Sequence, residues 1–311
     1  MKLLQNTTYD TVLTHGTVAA IGNFDGIHRG HQALLSSVRA LATQLNIPML
    51  VIVFEPQTRE YFLKEHSPPR LTSLRKKLQI FKQCGVDYVC CLRFDRHMAQ
   101  MSAEEFAHSL IFSRLQVKHL FVGSDFRFGC DRRGDMALLQ DIGRSFQAHI
   151  ASYPDFLLDD QRVSSTLVRE ALQADRLDEA AHLMGRAFTL CGRVMHGDGR
   201  ARAWGIPTAN IKVVQSALPI KGVFFVRVIH QDGKLFQGIA NIGRRPTFEG
   251  TKAVLEVHLL EFSGSLYGQR LEVIFLHKLR DEIAFSSIDH LVAQIHTDIA
   301  AAKEYFLRRH L

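Results

Sequence analysis

Apolar positions along this 311-residue chain follow two rhythms. In the first part, short apolar runs at 18–21, 49–54, 86–92, 119–123 and 149–153 alternate with helical spacing near 31–45, 72–84, 103–115 and 135–145. Strands alternating with helices predict an α/β domain, a parallel sheet with helices on both faces. Helical spacing returns over about 166–183. Beyond it, strand-like runs crowd together at 188–195, 223–229, 235–242, 254–260 and 271–276, with the hairpin signal Asp232-Gly233 between two of them. Short strands broken by turns predict a small antiparallel β-barrel. The stretch 288–307 has helical spacing and is expected to pack on it. The change of rhythm places a boundary near Met184, giving domains 1–183 and 184–311.

Composition narrows the class. At 46% hydrophobic residues the chain can bury two ordinary cores. No apolar run reaches the ~18 residues of a membrane helix. The start, Met1-Lys2-Leu3-Leu4-Gln5-Asn6, lacks a signal-peptide core. Both point to the cytoplasm and to no membrane partner. Five cysteines, without C-x-x-C, read as buried free thiols. The net charge of +7 is uneven: 21 Lys+Arg against 20 Asp+Glu in 1–183 gives +1, and 17 against 11 in 184–311 gives +6. Without long basic blocks or interleaved aromatics, a small polyanionic ligand explains this excess at least as well as nucleic acid.

The most informative segment is Gly22-Asn23-Phe24-Asp25-Gly26-Ile27-His28-Arg29-Gly30-His31. It follows the first apolar run and opens an amphipathic stretch, so it reads as strand, turn, helix. Two imidazoles and the first N–H groups of a helix would then face one point, where an anion is stabilised. This is neither a Walker A loop nor a dinucleotide fingerprint. Other segments end candidate strands or open helices: Phe54-Glu55-Pro56, Gly123-Ser124-Asp125-Phe126-Arg127-Phe128-Gly129 and Val163-Ser164-Ser165-Thr166-Leu167-Val168-Arg169. Helix capping alone accounts for Ser164–Thr166 about as well as a phosphate cradle does.

In this order, G-N-F-D-G-I-H-R-G-H, F-E-P, G-S-D-F-R-F-G and V-S-S-T-x-V-R resemble the adenylyltransferase module of the prokaryotic bifunctional riboflavin kinase/FAD synthetases, a Rossmann-like nucleotidyltransferase. The segments 192–200, Gly205-Ile206-Pro207-Thr208-Ala209-Asn210, 241–248, Leu255-Glu256-Val257-His258 and Leu279-Arg280-Asp281-Glu282 resemble its riboflavin kinase module. The resemblance implies two reactions: riboflavin and ATP give FMN, then FMN and ATP give FAD and pyrophosphate, both with magnesium. It implies ATP-binding roles in adenylyl transfer for Gly22, Asn23, Phe24, Asp25, His28, His31, Asp125, Ser164, Thr166 and Arg169. His28 and His31 are the expected catalytic pair, gathered with Arg169 around a triphosphate. In the kinase module it implies ATP contacts from Gly197, Gly199, Arg202, Pro207, Thr208 and Asn210, with Thr208 and Asn210 as Mg2+ ligands. Glu256 is the expected general base, on the strand face opposite Leu255, Val257 and Leu259, and Arg280 and Glu282 the expected flavin contacts.

The chain departs from the pattern in places. Gln57-Thr58 follows F-E-P, Leu167 stands where arginine is common, and Ala201-Arg202-Ala203-Trp204 replaces a glycine- and threonine-bearing stretch. The last change predicts a slower kinase, and Trp204 reads as an apolar contact to flavin or core. H-x-G-H also occurs in class I aminoacyl-tRNA synthetases, which makes an RNA-binding protein the competing class, but no K-M-S-K-S loop is present.

Overall fold

The computed structural model describes residues 1–4, 13, 15–197, 204–213, 217–247 and 250–309. They form two compact units, residues 1–68 with 74–164, and residues 69–73 with 165–311.

The first unit is built on a six-stranded, all-parallel sheet in the order β1-β4-β3-β2-β5-β6, with β1 Lys2–Leu4, β2 Thr17–Ile21, β3 Met49–Glu55, β4 Tyr88–Arg93, β5 Val117–Gly123 and β6 His149–Tyr153. The central strands are apolar without alternation because both faces are covered. Ala19, Ile21, Leu50 and Ile52 enter one core, and Val18, Ala20, Val51 and Val53 enter the other. The helices of this unit are α1 Arg29–Leu45, α2 Thr58–Leu63, α3 Leu74–Gln83, α4 Arg96–Gln100, α5 Ala103–Glu105 and α6 Met136–Arg144; α1 and α3 pack on one core, α4, α5 and α6 on the other. The helix expected over 103–115 changes winding: α5 continues as a π-helix over Phe106–Arg114, closed by Leu115 N donating to Leu110 O at 3.0 Å. A two-stranded hairpin follows, β7 Leu157–Leu158 and β8 Gln161–Arg162.

The second unit begins with α7 Ser165–Gln173 and α8 Leu177–Met184. By contacts these helices group with the barrel, and the two units divide at Ser164/Ser165. One tie is visible: Lys278 Nζ donates to Asp175 Oδ2 at 2.5 Å. The barrel is closed and antiparallel, in the order β10-β13-β12-β11-β14-β9. Its strands are β9 Thr189–Met195, β10 Ala209–Lys212, β11 Gly222–His230, β12 Leu235–Thr247, β13 Gly250–Leu259 and β14 Arg270–Arg280. The helix α9 Ile288–Arg308, capped by Ser287, lays Ala302 and Phe306 against Val223 and Phe225. The five cysteines form no disulfide, and Cys90 and Cys91 are buried on opposite faces of the sheet.

Candidate active sites

Strand β2 lies between β3 and β5, all parallel, so the loops leaving their carboxyl ends emerge side by side. They are the segments 22–28, 56–57 and 124–135. The first turns tightly, with Phe24 (φ 46°), Gly26 (φ 83°) and Ile27 (φ 38°) in the left-handed region. For Phe24 and the β-branched Ile27 this backbone is strained and must be held by its surroundings. The Phe24 ring is buried edge-on against Phe81 at 5.4 Å, and Ile27 is fully buried. Gln32 Nε2 donates to Ile27 O at 2.8 Å, and Lys77 Nζ donates to Asn23 O at 2.7 Å.

His28 caps α1: its Nδ1 accepts from the backbone N–H of His31 at 3.4 Å. An accepting Nδ1 leaves the proton of the neutral ring on Nε2. The His28 and His31 rings stack with centroids 3.7 Å apart and planes at 20°, and Phe24 lies 5.1 Å from His31. His28 is only 6% exposed and Asp25 is buried. A Cβ at Gly30 would sit 3.3 Å from the His28 ring, so glycine lets the imidazole lie on the helix start. Asn23 Oδ1 and Gln57 Nε2 are buried without a hydrogen-bond partner, an acceptor and a donor left for a ligand.

The structure thus brings Gly22, Asn23, Phe24, Asp25, His28 and His31 together. Asp125 is 80% exposed and ion-paired with Arg162 at 3.0 Å, and Arg162 also holds Asp155 at 3.1 Å. Ser164 closes the first unit, whereas Thr166 and Arg169 lie in the second. There the Arg169 guanidinium donates to Pro69 O at 2.7 Å and Ser165 O at 3.1 Å, tying the segment 69–73 to α7. Sequence reasoning missed the fully buried Lys77 and the exposed Arg162, which reach Asn23 and Asp125 on distant segments.

The second site lies on the barrel wall. Leu255, Val257 and Leu259 are buried inside, which turns Glu256 and His258 to the outer face. Glu256 pairs in register with Asn210 of β10 and with Asn241 of β12. Directly paired residues project from the same face, so the carboxylate is flanked by two carboxamides. Glu256, Asn241, Thr208, His258, Arg280 and Glu282 line one cavity of about 370 Å³. Its apolar wall comes from Trp204, Ile206 and Ile239 with Leu291, Ile295 and Ile299 of the terminal helix. The Asn241 Oδ1 is buried with no hydrogen-bond partner.

His258 Nδ1 lies 2.9 Å from Pro207 O; a carbonyl only accepts, so Nδ1 is the donor, and the contact fixes the backbone that presents Thr208. A Cβ on Gly197 would fall on the Asn210 carboxamide, 2.7 Å from Cγ, so the glycine backbone packs directly on that side chain. Arg280 is clamped by Asp298 of the terminal helix at 2.7–3.1 Å. Asp298 was not foreseen, although an acid on the stripe Ile295, Ile299, Ala302, Phe306 is a signal of ion pairing. Gly199 and Arg202, like Ala201 and Ala203, lie outside the described residues.

Among the described residues no cluster of three or more His, Cys, Asp and Glu side chains forms a metal cage. Thr208 and Asn210 offer the hard oxygens that suit Mg2+, which takes one or two protein ligands and completes its shell with phosphates and water. No helix among the described residues is long and apolar enough to cross a membrane.

Comparison with known proteins agrees with both halves. A family model for FAD synthetase matches residues 11–167, and one for riboflavin kinase matches 184–306. The chain is 43% identical to the bifunctional riboflavin kinase/FMN adenylyltransferase of Haemophilus influenzae, covering 98% of this chain and 99% of that one. It is 46% identical to the Escherichia coli K12 protein of the same name, covering 94% and 93%. A solved structure described as a macrolide-efflux protein from Streptococcus pneumoniae superposes with a TM-score of 0.75 at 27% identity, over 94% of this chain and 96% of that one. With both modules matched in order along the chain, it belongs to the bifunctional riboflavin kinase/FMN adenylyltransferase family.

Proposed function

We propose that the residues gathered at the two sites divide the chemistry between modules spanning 1–183 and 184–311. The observation that carries the reading is the paired row Asn210–Glu256–Asn241, of which Glu256 and Asn241 line the same cavity as Thr208, Arg280 and Glu282. A base, hard-oxygen donors and a hydrogen-bonding corner opposite an apolar wall suit a flat, uncharged flavin with a polar tail.

In the kinase module the ribityl hydroxyl of riboflavin attacks the γ-phosphorus of ATP. Glu256 accepts the hydroxyl proton, and Asn241 Oδ1 accepts a hydrogen bond from the tail. Phosphoryl transfer through a loose transition state asks mainly for positioning and charge neutralisation. Thr208 and Asn210 would hold Mg2+, which supplies that neutralisation on the phosphates when bound. Gly197, Gly199, Arg202 and Pro207 approach ATP, and Arg280 with Glu282 orients the flavin ring.

In the adenylyltransferase module the FMN phosphate attacks the α-phosphorus of a second ATP. His28 and His31 donate N–H groups to the departing pyrophosphate beside the N-terminus of α1. Gly22, Asn23, Phe24, Asp25 and Asp125 shape the nucleotide site, and Ser164, Thr166 and Arg169 serve the triphosphate. ATP, riboflavin and FMN are then the only partners the chemistry needs, and the cytoplasm supplies them. Labelled ATP tests the assignment. γ-Label should appear in FMN and then in FAD, and α-label only in FAD. FAD appearing ahead of FMN, or α-label in FMN, would overturn it.

A further inference from the structure

We infer that Asp298 of the terminal helix is a positioning residue for riboflavin binding, acting through Arg280. The inference rests on the assignment of Arg280 to the flavin. Asp298 is 4% exposed, and a carboxylate is not buried without a partner. Its partner is the Arg280 guanidinium, whose Nε lies 3.1 Å from both carboxylate oxygens and whose Nη2 lies 2.7 Å from Oδ2. Gln294 Nε2 donates to Oδ1 at 2.9 Å from one turn earlier on the helix. The carboxylate is therefore braced on its own helix while it grips the arginine.

The donor inventory shows what this grip leaves. A guanidinium has five N–H donors. Nε and one Nη2 hydrogen go to Asp298, and one Nη1 hydrogen goes to Asp281 O at 2.9 Å, so three are spent and two remain. Both Arg280 and Asp298 line the 370 Å³ cavity. The remaining donors are held at fixed angles by the fork, because bidentate pairing removes the rotamer freedom of the long side chain. The ion pair also cancels the arginine charge, which suits the neutral carbonyls of an uncharged ring better than it suits a phosphate. The pair spans β14 and the terminal helix, so the same contact ties the apolar wall of Leu291, Ile295 and Ile299 to the polar corner.

The test is a double-mutant cycle on the full chain, read as ADP formation from riboflavin. Arg280→Ala comes first; if it leaves the KM for riboflavin unchanged, the flavin assignment of Arg280 fails. With that assignment standing, Asp298→Asn should raise the KM for riboflavin about tenfold, the loss of roughly one charge-assisted hydrogen bond. The KM for ATP and the rate of FAD formation from FMN should stay at parent values. Gln294→Ala should move the riboflavin KM in the same direction by less. Arg280→Ala added to Asp298→Asn should cost little more than Arg280→Ala alone. An unchanged riboflavin KM in Asp298→Asn, additive losses, or equal rises in both KM values would overturn the inference. Should Asp298→Asn fold poorly, Gln294→Ala carries the same KM comparison, and an unchanged riboflavin KM there decides against it.

Discussion

Lys77→Met probes how the adenylyltransferase loop is held. Lys77 is 0% exposed, and its Nζ donates to the carbonyl of Asn23 at 2.7 Å, inside the nucleotide loop. The two residues flanking that turn, Phe24 at φ 46° and Ile27 at φ 38°, store strain, about 1–3 kcal/mol each for non-glycine residues in this region. A hydrogen bond from a charged donor contributes about 1.5–3 kcal/mol. Removing it gives the strained loop a comparable incentive to relax. At about 1.4 kcal/mol per factor of ten, the competent population falls roughly 10- to 150-fold. Methionine nearly fills the same volume and removes the cost of burying an ammonium, so overall stability should change less than activity does. The assay is pyrophosphate release with FMN and ATP, with ADP release from riboflavin as the internal control. A FAD-forming rate within about threefold of the parent would refute the reasoning, being smaller than the loss of even the weakest such bond. So would an equal fall of both activities, which would mark general unfolding.

Two further changes test local features. Gly197→Ala places a methyl on the Asn210 carboxamide, so ADP formation should fall at least about tenfold, as expected for a misplaced ligand, while FAD formation from FMN persists; unaltered kinase activity would show that Asn210 has room to move. At the β11–β12 hairpin, the hydrogen bond that His230 donates to the Asp232 carboxylate raises the His230 pKa above 6.5, and the backbone N–H of Lys234, followed by His230, lowers Asp232 to about 2. The contribution of His230 is full below its unfolded pKa and is lost as pH rises through the raised folded value. That of Asp232 is present above 3.8 and lost as pH falls towards about 2. A proton NMR titration should find His230 above 6.5, falling in Asp232→Asn; an unchanged value contradicts the pairing.

Much of this architecture could be read from residues alone, for physical reasons. β2 and β3 are continuous apolar runs because both faces of a parallel sheet are covered, and β13 alternates because only one face enters the barrel. β10 reads as a turn: Pro207 precedes four residues, Ala209–Lys212, whose strand character comes from pairing with β9 and β13. The π-winding over Phe106–Arg114 leaves no distinct mark, since its apolar positions also suit an ordinary helix. That α7 and α8 group with the barrel by contacts leaves no mark in the rhythm of apolar positions, because it rests on pairs such as Lys278–Asp175. In the first unit the juxtaposition of His28 with His31 was legible, because both lie on one local turn. Lys77, Arg162 and Asp298 were not, because each is defined by a partner far along the chain.

Mixing two inactive variants tests the division of labour most directly. Given riboflavin and Mg-ATP, His28→Ala alone should stop at FMN, and Glu256→Gln alone should leave riboflavin unconverted. The two combined should restore FAD, with FMN passing through solution from one protein to the other. A mixture that makes no FAD, or either variant making FAD by itself, would contradict the assignment of one reaction to each site.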